Sequence, residues 1–471
     1  MSAAPGTAAR PAAFRPSTRR AETRRLLATA LPLMGAQLLG MGNGLVDSLV
    51  AGRLGPAELA AVGIGGSLIF LVTVSSIGLM ASLSPLMAAA RGAGRRPDVG
   101  ALFRQGLWMA LAFGLADLAL VQLCIRTLPG WGMDAGLLPA LVVYLDAAKW
   151  GLPAAVLLLA ARNVCEATAR TRQVLAVQGV ALGVNLVADL GLGLGMFGLP
   201  RLGVAGIGWS TTIVQCTAAA TLFALLRRPT FARFRLWRPF QWPDPARLAT
   251  VLALSAPICL TVLSESALFG ATAIGMGRLG TLPASAHNVA IGTTAFMYML
   301  PLGLSFALTA RVGAALGRGS IAAVRLRVRT GIGVALALAT TTSCLLAAFG
   351  SRLAALYTDD PDVRALAARF FVYAAVFQVS DAMQVTLIAA LRGLADTRVP
   401  MLLNVLAFWG IGAPVGYLAA YRSPLGPEGL WLGLIVGLTA SAALQGLRLR
   451  RRLRSVPPIP RPATAAKDTT R

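Results

Sequence analysis

Arg53-Leu54-Gly55 returns as Arg278-Leu279-Gly280, and the 225-residue offset between them carries a match that needs no gap. At that offset Pro32 falls on Pro257, Gly78-Leu79 on Gly303-Leu304 and Ala89-Ala90 on Ala314-Ala315. Gly92 falls on Gly317, Gly94 on Gly319, Arg104 on Arg329 and Gly106 on Gly331. Chance similarity among helices rich in Ala, Leu and Gly would not keep arginines and prolines in step, so the chain reads as two copies of one unit. Duplication within an apolar chain marks a secondary transporter, where one copy rocks against the other.

Composition sets the class. Of 471 residues 56% are hydrophobic and 13% charged, with mean hydropathy +0.70, far from a soluble domain. A bilayer core takes about 20 apolar residues per helix. Twelve stretches qualify: about 28–51, 60–88, 102–125, 137–161, 173–197, 203–226, 247–276, 286–314, 330–350, 364–391, 399–421 and 429–449. Six fall in each half. An even number per copy leaves both halves facing the same way, so the repeats are parallel. The expected fold is an all-α membrane protein, twelve transmembrane helices in two parallel-repeat six-helix bundles.

The formal charge of +25 suggests nucleic acid until the charges are placed. With loops assigned to alternate sides, one side collects 34 of the 43 Lys and Arg and the other 9. The positive-inside rule then puts both termini in the cytoplasm, and the cytoplasmic (inner) cell membrane is the expected location. Basic tails flanking spans set topology and touch anionic lipid, so no nucleic-acid partner is expected. Residues 1–25 hold six Arg and no long apolar run, which argues against a cleavable signal peptide. The expected organisation is a disordered basic segment 1–25, a bundle 26–226, a cytoplasmic linker 227–246, a bundle 247–450 and a disordered tail 451–471. The linker mixes prolines, arginines and aromatics, as an interfacial amphipathic segment does. Cys124, Cys165, Cys216, Cys259 and Cys344 sit in apolar helices without CxxC spacing and read as small core residues.

An ionisable group at bilayer depth costs about 2.5–3.5 kcal/mol by insertion scales and marks a pathway more often than a structural contact. Asp47, Asp117, Asp146, Asp189, Glu265 and Asp381 fall inside spans. Asp146 sits three residues before Lys149 on one helical face and reads as a structural ion pair. Asp117 has no polar neighbour one turn away. Asp47 has Asn43 one turn before it, and Asp189 has Asn185 in the same relation. With a hydroxyl from Thr211, these groups suit Na⁺ or a proton shared between carboxyls; a polar bridge between helices is the plainer alternative. Glu265 has Thr261 one turn before it, and Asp381 has Gln378 and Gln384 three residues to either side. A low-dielectric site favours the protonated carboxyl, and a cation restores the charged one. Such a group exchanges a proton for another cation, which is antiport.

Other chemistries lack their residues. His287, the single histidine, reads as a cap or an interhelical hydrogen-bond partner at a helix start. No GxxxxGK[ST] loop, arginine ladder or TVGYG filter occurs, so ATP drive and channel readings have no support. No convergent catalytic set is found, so no enzyme is expected.

The chain resembles the multidrug and toxic compound extrusion (MATE) transporters, most closely their bacterial NorM-like branch, over about residues 25–450. The resemblance rests on LVDSLVAGRLGPAELAAVGI (45–64), RNVCEATARTR (162–172), SAHNVAIGTTAFMYMLPLGLSFALTARVGAALG (285–317) and DAMQVTLIAALRGLADTRVPM (381–401). It implies export of cationic amphipathic drugs in exchange for Na⁺ or H⁺, with no other cofactor and no obligatory protein partner. It implies an N-lobe site at Asp47, a C-lobe cation site at Glu265 and Asp381, and an N-lobe cation set at Asn185, Asp189 and Thr211. Phe377 stands one turn before Asp381 where relatives often carry tyrosine, which weakens Na⁺ in the C-lobe and leaves H⁺ open. Met297, Tyr298 and Met299 are candidates for a substrate cavity, since Met and aromatic surfaces accept varied apolar cations; packing is the plainer role. A same-fold exporter of a specific metabolite or lipid-linked precursor is the alternative. A lipid pyrophosphate would want a cationic cavity, whereas charge within these spans is mostly acidic.

Overall fold

A chain this apolar has to satisfy its backbone polar groups internally, and helices do so within each segment. The computed structural model describes residues 18–131, 136–237 and 241–455, and among them every long element is a helix. The spans are α1 (Arg19–Leu54), α2 (Pro56–Gly92), α3 (Arg96–Trp131), α4 (Leu138–Ala167), α5 (Arg172–Gly193) and α6 (Val204–Leu226). The second set is α7 (Pro245–Leu279), α8 (Thr281–Gly317), α9 (Ile321–Ala355), α10 (Pro361–Gly393), α11 (Arg398–Tyr421) and α12 (Pro427–Arg454). Eleven of these are long and apolar enough to cross a membrane. The remaining one, α1, has the length but carries Gln37, Asn43 and Asp47 mid-span. With it the count reaches the twelve expected.

The expected end boundaries move outward. The described part of the basic N-terminus is helix from Arg19: Thr18 Oγ1 caps the Ala21 N–H at 3.3 Å, and Glu22 in the first turn suits the helix dipole. Helix also persists to Ser455 beyond the expected stop at 450, held where Arg448 and Arg452 each donate to Asp396 at 2.8 Å. The rest of the segments expected to be disordered, 1–17 and 456–471, lies outside the described residues.

Repeat symmetry is visible in how the bundles touch. α1 packs on α8 and α2 on α7, the two contacts exchanged by the repeat. A Cβ on Gly78 would lie 2.5 Å from Cys259 Cα, and one on Gly303 would lie 2.6 Å from Met34 Cα. Gly92 meets the backbone of Ala314, and Gly317 that of Ala89, in the same reciprocal way. Each pair maps onto the other at the 225-residue offset, so a pseudo-twofold axis runs between the bundles.

The bundles merge at one end only. Met34, Leu83, Val251, Leu304 and Ala314 belong to one apolar core spanning both, in the Arg-rich half. In the opposite half the cores are separate, one around Val50, Tyr144 and Ile207 and one around Leu268, Phe371 and Trp431. The cleft between bundles is therefore sealed on the Arg-rich side. Ser82, where α2 breaks, bonds Ser255 Oγ at 2.6 Å across the interface, and Asn163 Nδ2 takes the freed Met80 carbonyl at 3.1 Å. Buried Glu22 of α1 accepts from Arg311 of α8 at 3.2 Å and lies 3.4 Å from Arg327 of α9.

The linker docks on the first bundle. Phe231, Phe234 and Leu236 are buried, Arg104 Nη1 donates to the Arg235 carbonyl at 2.6 Å, and Trp108 Nε1 donates to that of Gln241 at 3.1 Å. Among the cysteines Cys165 and Cys259 are buried as expected, whereas Cys216 and Cys344 face outward.

Removing one partner of a buried ion pair strands the other charge and costs about 3–5 kcal/mol. Glu22→Gln should therefore loosen the sealed end. Spin labels on Arg95→Cys and Arg325→Cys, with the native cysteines replaced, should gain a longer-distance population that the Glu22 protein lacks.

Candidate functional site: two buried acid groups

The first group joins α1, α5 and α6. Asn185 Nδ2 donates to Asp47 Oδ1 at 2.8 Å and reaches Asp189 Oδ2 at 3.4 Å. Asp47 and Asp189 lie within hydrogen-bonding reach of each other. Asp189 is 0% exposed, and neither its Oδ1 nor Asn185 Oδ1 has a protein partner. Local structure aims this carboxyl: α5 passes from α to π-helix at Asp189–Gly193, an irregularity that recurs at functional sites. Asn43 lies one turn nearer the Arg-rich end, and its Oδ1 is also buried without a partner.

The hydroxyl that reaches Asn185 belongs to Ser210, at 3.5 Å, not to Thr211. Thr211 bonds the Ile207 carbonyl at 3.2 Å and neighbours Tyr144, which lies beside Asp47 and Asp189. Helical geometry separates the two roles: adjacent residues point about 100° apart, and only one can face α5. Ser210 precedes Thr211 in the same WSTT run, and Tyr144 gave no sequence signal, since its contacts depend on how α4 packs.

The second group joins α7, α8, α10, α11 and α12. Asp381 and Glu265 are electrostatic neighbours, and Glu265 also lies near Gln384. Gln384 Nε2 donates to Asn404 Oδ1 at 3.2 Å, and Ser441 Oγ donates to the same atom at 2.6 Å. Asp381 Oδ1 and both polar atoms of Gln378 are buried without partners. Tyr298 lies near Glu265 and Asp381, and Arg392 near Glu265 and Tyr298. The sequence reading missed Asn404, a lone amide in PMLLNVLAF, and counted Arg392 only toward loop charge.

Other expected residues stand apart. Thr261 Oγ1 bonds the Pro257 carbonyl at 2.8 Å within α7. Met297 packs on the second bundle's outer core, and Met299 is half-buried. Phe377 is buried against Phe269 and Trp431. His287, expected to cap or hydrogen-bond, lies six residues into α8; its Nδ1 has no partner and its ring packs on Trp431 at 5.6 Å. Lys149 bonds Asp146 and Gln122, so that pair is the expected ion pair. Asp117 lies near Ser76 of α2, and its Oδ2 is buried without a partner.

A family model described as MatE matches residues 32–190 and 257–418, two segments whose starts lie one repeat offset apart. The chain belongs to the MATE family. It is 36% identical over 437 residues to multidrug resistance protein PmpM of Pseudomonas aeruginosa, covering 91% of each chain. It is also 36% identical over 426 residues to a probable multidrug resistance protein NorM of Xanthomonas axonopodis, covering 90% of this chain and 92% of that one. A solved multidrug resistance MATE transporter in an outward-facing conformation superposes with TM-score 0.85 at 18% identity, covering 92% of this MATE protein and 96% of that chain. This last likeness concerns the fold.

If Asn185 is the bridge of the first group, Asn185→Leu should cut efflux of a cationic dye by about 100-fold, as loss of a buried donor to two carboxyls implies. Thr211→Val should reduce it less than Ser210→Ala, and membrane yield of the three variants checks insertion.

Proposed function

We propose that this MATE protein exports cationic amphipathic compounds across the cytoplasmic membrane in exchange for H⁺, by rocking of its two lobes about their shared Arg-rich core. The observation that carries this reading is the Asp47–Asn185–Asp189 group. Two carboxyls within hydrogen-bonding reach, in an apolar bundle, do not both stay ionised without a cation, and a proton is the smallest one that fits the observed spacing. Each acid group sits in one lobe, so cargo and proton compete for carboxyl charge as the cleft changes sides. Acidic surroundings and Tyr298 suit a cationic, aromatic cargo.

Na⁺ is the second reading, and a specific feature favours it: the buried oxygens of Asn43, Asn185 and Asp189 without partners are the hard donors that Na⁺ takes. The positive-inside count supports cytoplasmic termini, and on that reading the sealed end of the cleft faces inside and its open end outside. Contact with the bilayer and small cationic cargo are the only partners this mechanism requires.

Proteoliposomes loaded with ethidium distinguish the ions. Under a pH gradient alone export should proceed, and under a Na⁺ gradient alone it should not; the reverse result moves the coupling to Na⁺. Absence of export under both would favour a metabolite or lipid-linked precursor as cargo. Asp381→Asn should abolish coupled export with normal membrane insertion. Full export by Asp47→Asn and Asp189→Asn would make the first group structural.

A further inference from the structure

On the Arg-rich side of the Asp47–Asn185–Asp189 group, the first bundle encloses a cavity of about 160 Å³ between α1, α4, α5 and α6. Its position follows from chain direction. α1 and α5 leave the Arg-rich face at Arg19 and Arg172, while α4 and α6 return to it at Ala167 and Leu226. Asn43 precedes Asp47 on α1, Gln178 precedes Asn185 on α5, Gln215 follows Ser210 on α6, and Arg162 ends the α4 wall near that face. The α6 wall runs from Val214 to Leu222, about 12 Å at 1.5 Å per residue. The cavity thus begins one helical turn from the acid group and runs toward the Arg-rich surface.

Its walls are polar in the way that holds water. Asn43 Oδ1 and Arg162 Nη2 both line it, and both are buried with no protein partner. Gln178 and Gln215 add amides on facing helices. Unpaired polar groups around a space of this size bind water, and at ~30 Å³ each about five molecules fit. A water chain passes protons by exchanging hydrogen bonds, without carrying an ion through.

Arg162 stands at the far end. Its Nε bonds Glu166 at 2.9 Å, and its guanidinium lies 4.7 Å over the ring of Phe306, on the opposite lobe. Held by Glu166 and Phe306, the side chain fills the mouth of a narrow polar cavity, where a water chain can pass but hydrated Na⁺ and cationic cargo are excluded by size.

We propose that this cavity is a hydrated route by which the Asp47–Asp189 pair exchanges its proton with the Arg-rich side, and that Arg162 is the gate excluding larger cations. The inference rests on proton coupling at the first acid group. Phe306 ties the gate to the lobe interface, so separation of the lobes at this end frees Arg162.

The test compares the reconstituted full chain with Gln178→Leu/Gln215→Leu, reading ethidium binding in detergent and ethidium-driven proton flux by vesicle-trapped pyranine. Binding should stay within about two-fold, while flux falls about ten-fold as the proton path is broken. Gln215→Leu alone, a milder change should the double variant fold poorly, should give a smaller drop in the same direction. Full flux in both variants overturns the route. Arg162→Gln should admit radioactive Na⁺ into vesicles without ethidium; vesicles as tight as wild type overturn the gate. Asp189→Asn separates the levels. Retained flux in that variant refutes coupling at the first group, whereas lost flux there with full flux in the leucine variants refutes the route alone.

Discussion

Backbone meets backbone across the lobe interface at four glycines, and the rest of the architecture hangs on those contacts. Helices in lipid gain little from burying apolar surface against each other, so close approach at small residues does the holding. Gly78, Gly303, Gly92 and Gly317 supply that approach in two reciprocal pairs. All four lie in the half where the cores merge, and the Glu22 ion pairs close the same end. The opposite half, with its separate cores, is left to part. A sealed end and an open end are thus consequences of where the glycines fall along α2 and α8.

The duplication copied the scaffold and not the chemistry. At the repeat offset Asp47 corresponds to Thr272 and Asp189 to Pro414, while Glu265 corresponds to Gly40 and Asp381 to Val156. Each lobe carries an acid group of its own design. The first couples two carboxyls through one amide beside a π-helical turn. The second spreads Glu265 and Asp381 over a network of Gln384, Asn404 and Ser441, with Arg392 nearby. A polar cavity lies one helical turn from the first group, toward the Arg-rich side.

Much of this was legible in the chain. The spans follow from hydropathy because lipid permits few alternatives to helix, and the family follows from motifs such as RNVCEATARTR. The acids stood out because charge in a span is expensive. Asn185 was found because it lies one turn from Asp189 on the same helix. Ser210, Tyr144, Asn404 and Arg392 were not found, since nothing in their own helices sets them apart from neighbours of similar type. Their roles come from crossing helices, and a one-residue difference in facing decides between Ser210 and Thr211.

By itself, the sequence determined the twelve spans, the parallel repeat and the set of acids that bilayer burial makes costly. Those are local or periodic properties, set by solvent and by register. Only the tertiary structure decided which acids meet, which end of the cleft is sealed and where a polar cavity remains. These depend on interhelical distances of a few ångströms, and residues as far apart as Asp47 and Asn185 come into contact only when whole helices have packed.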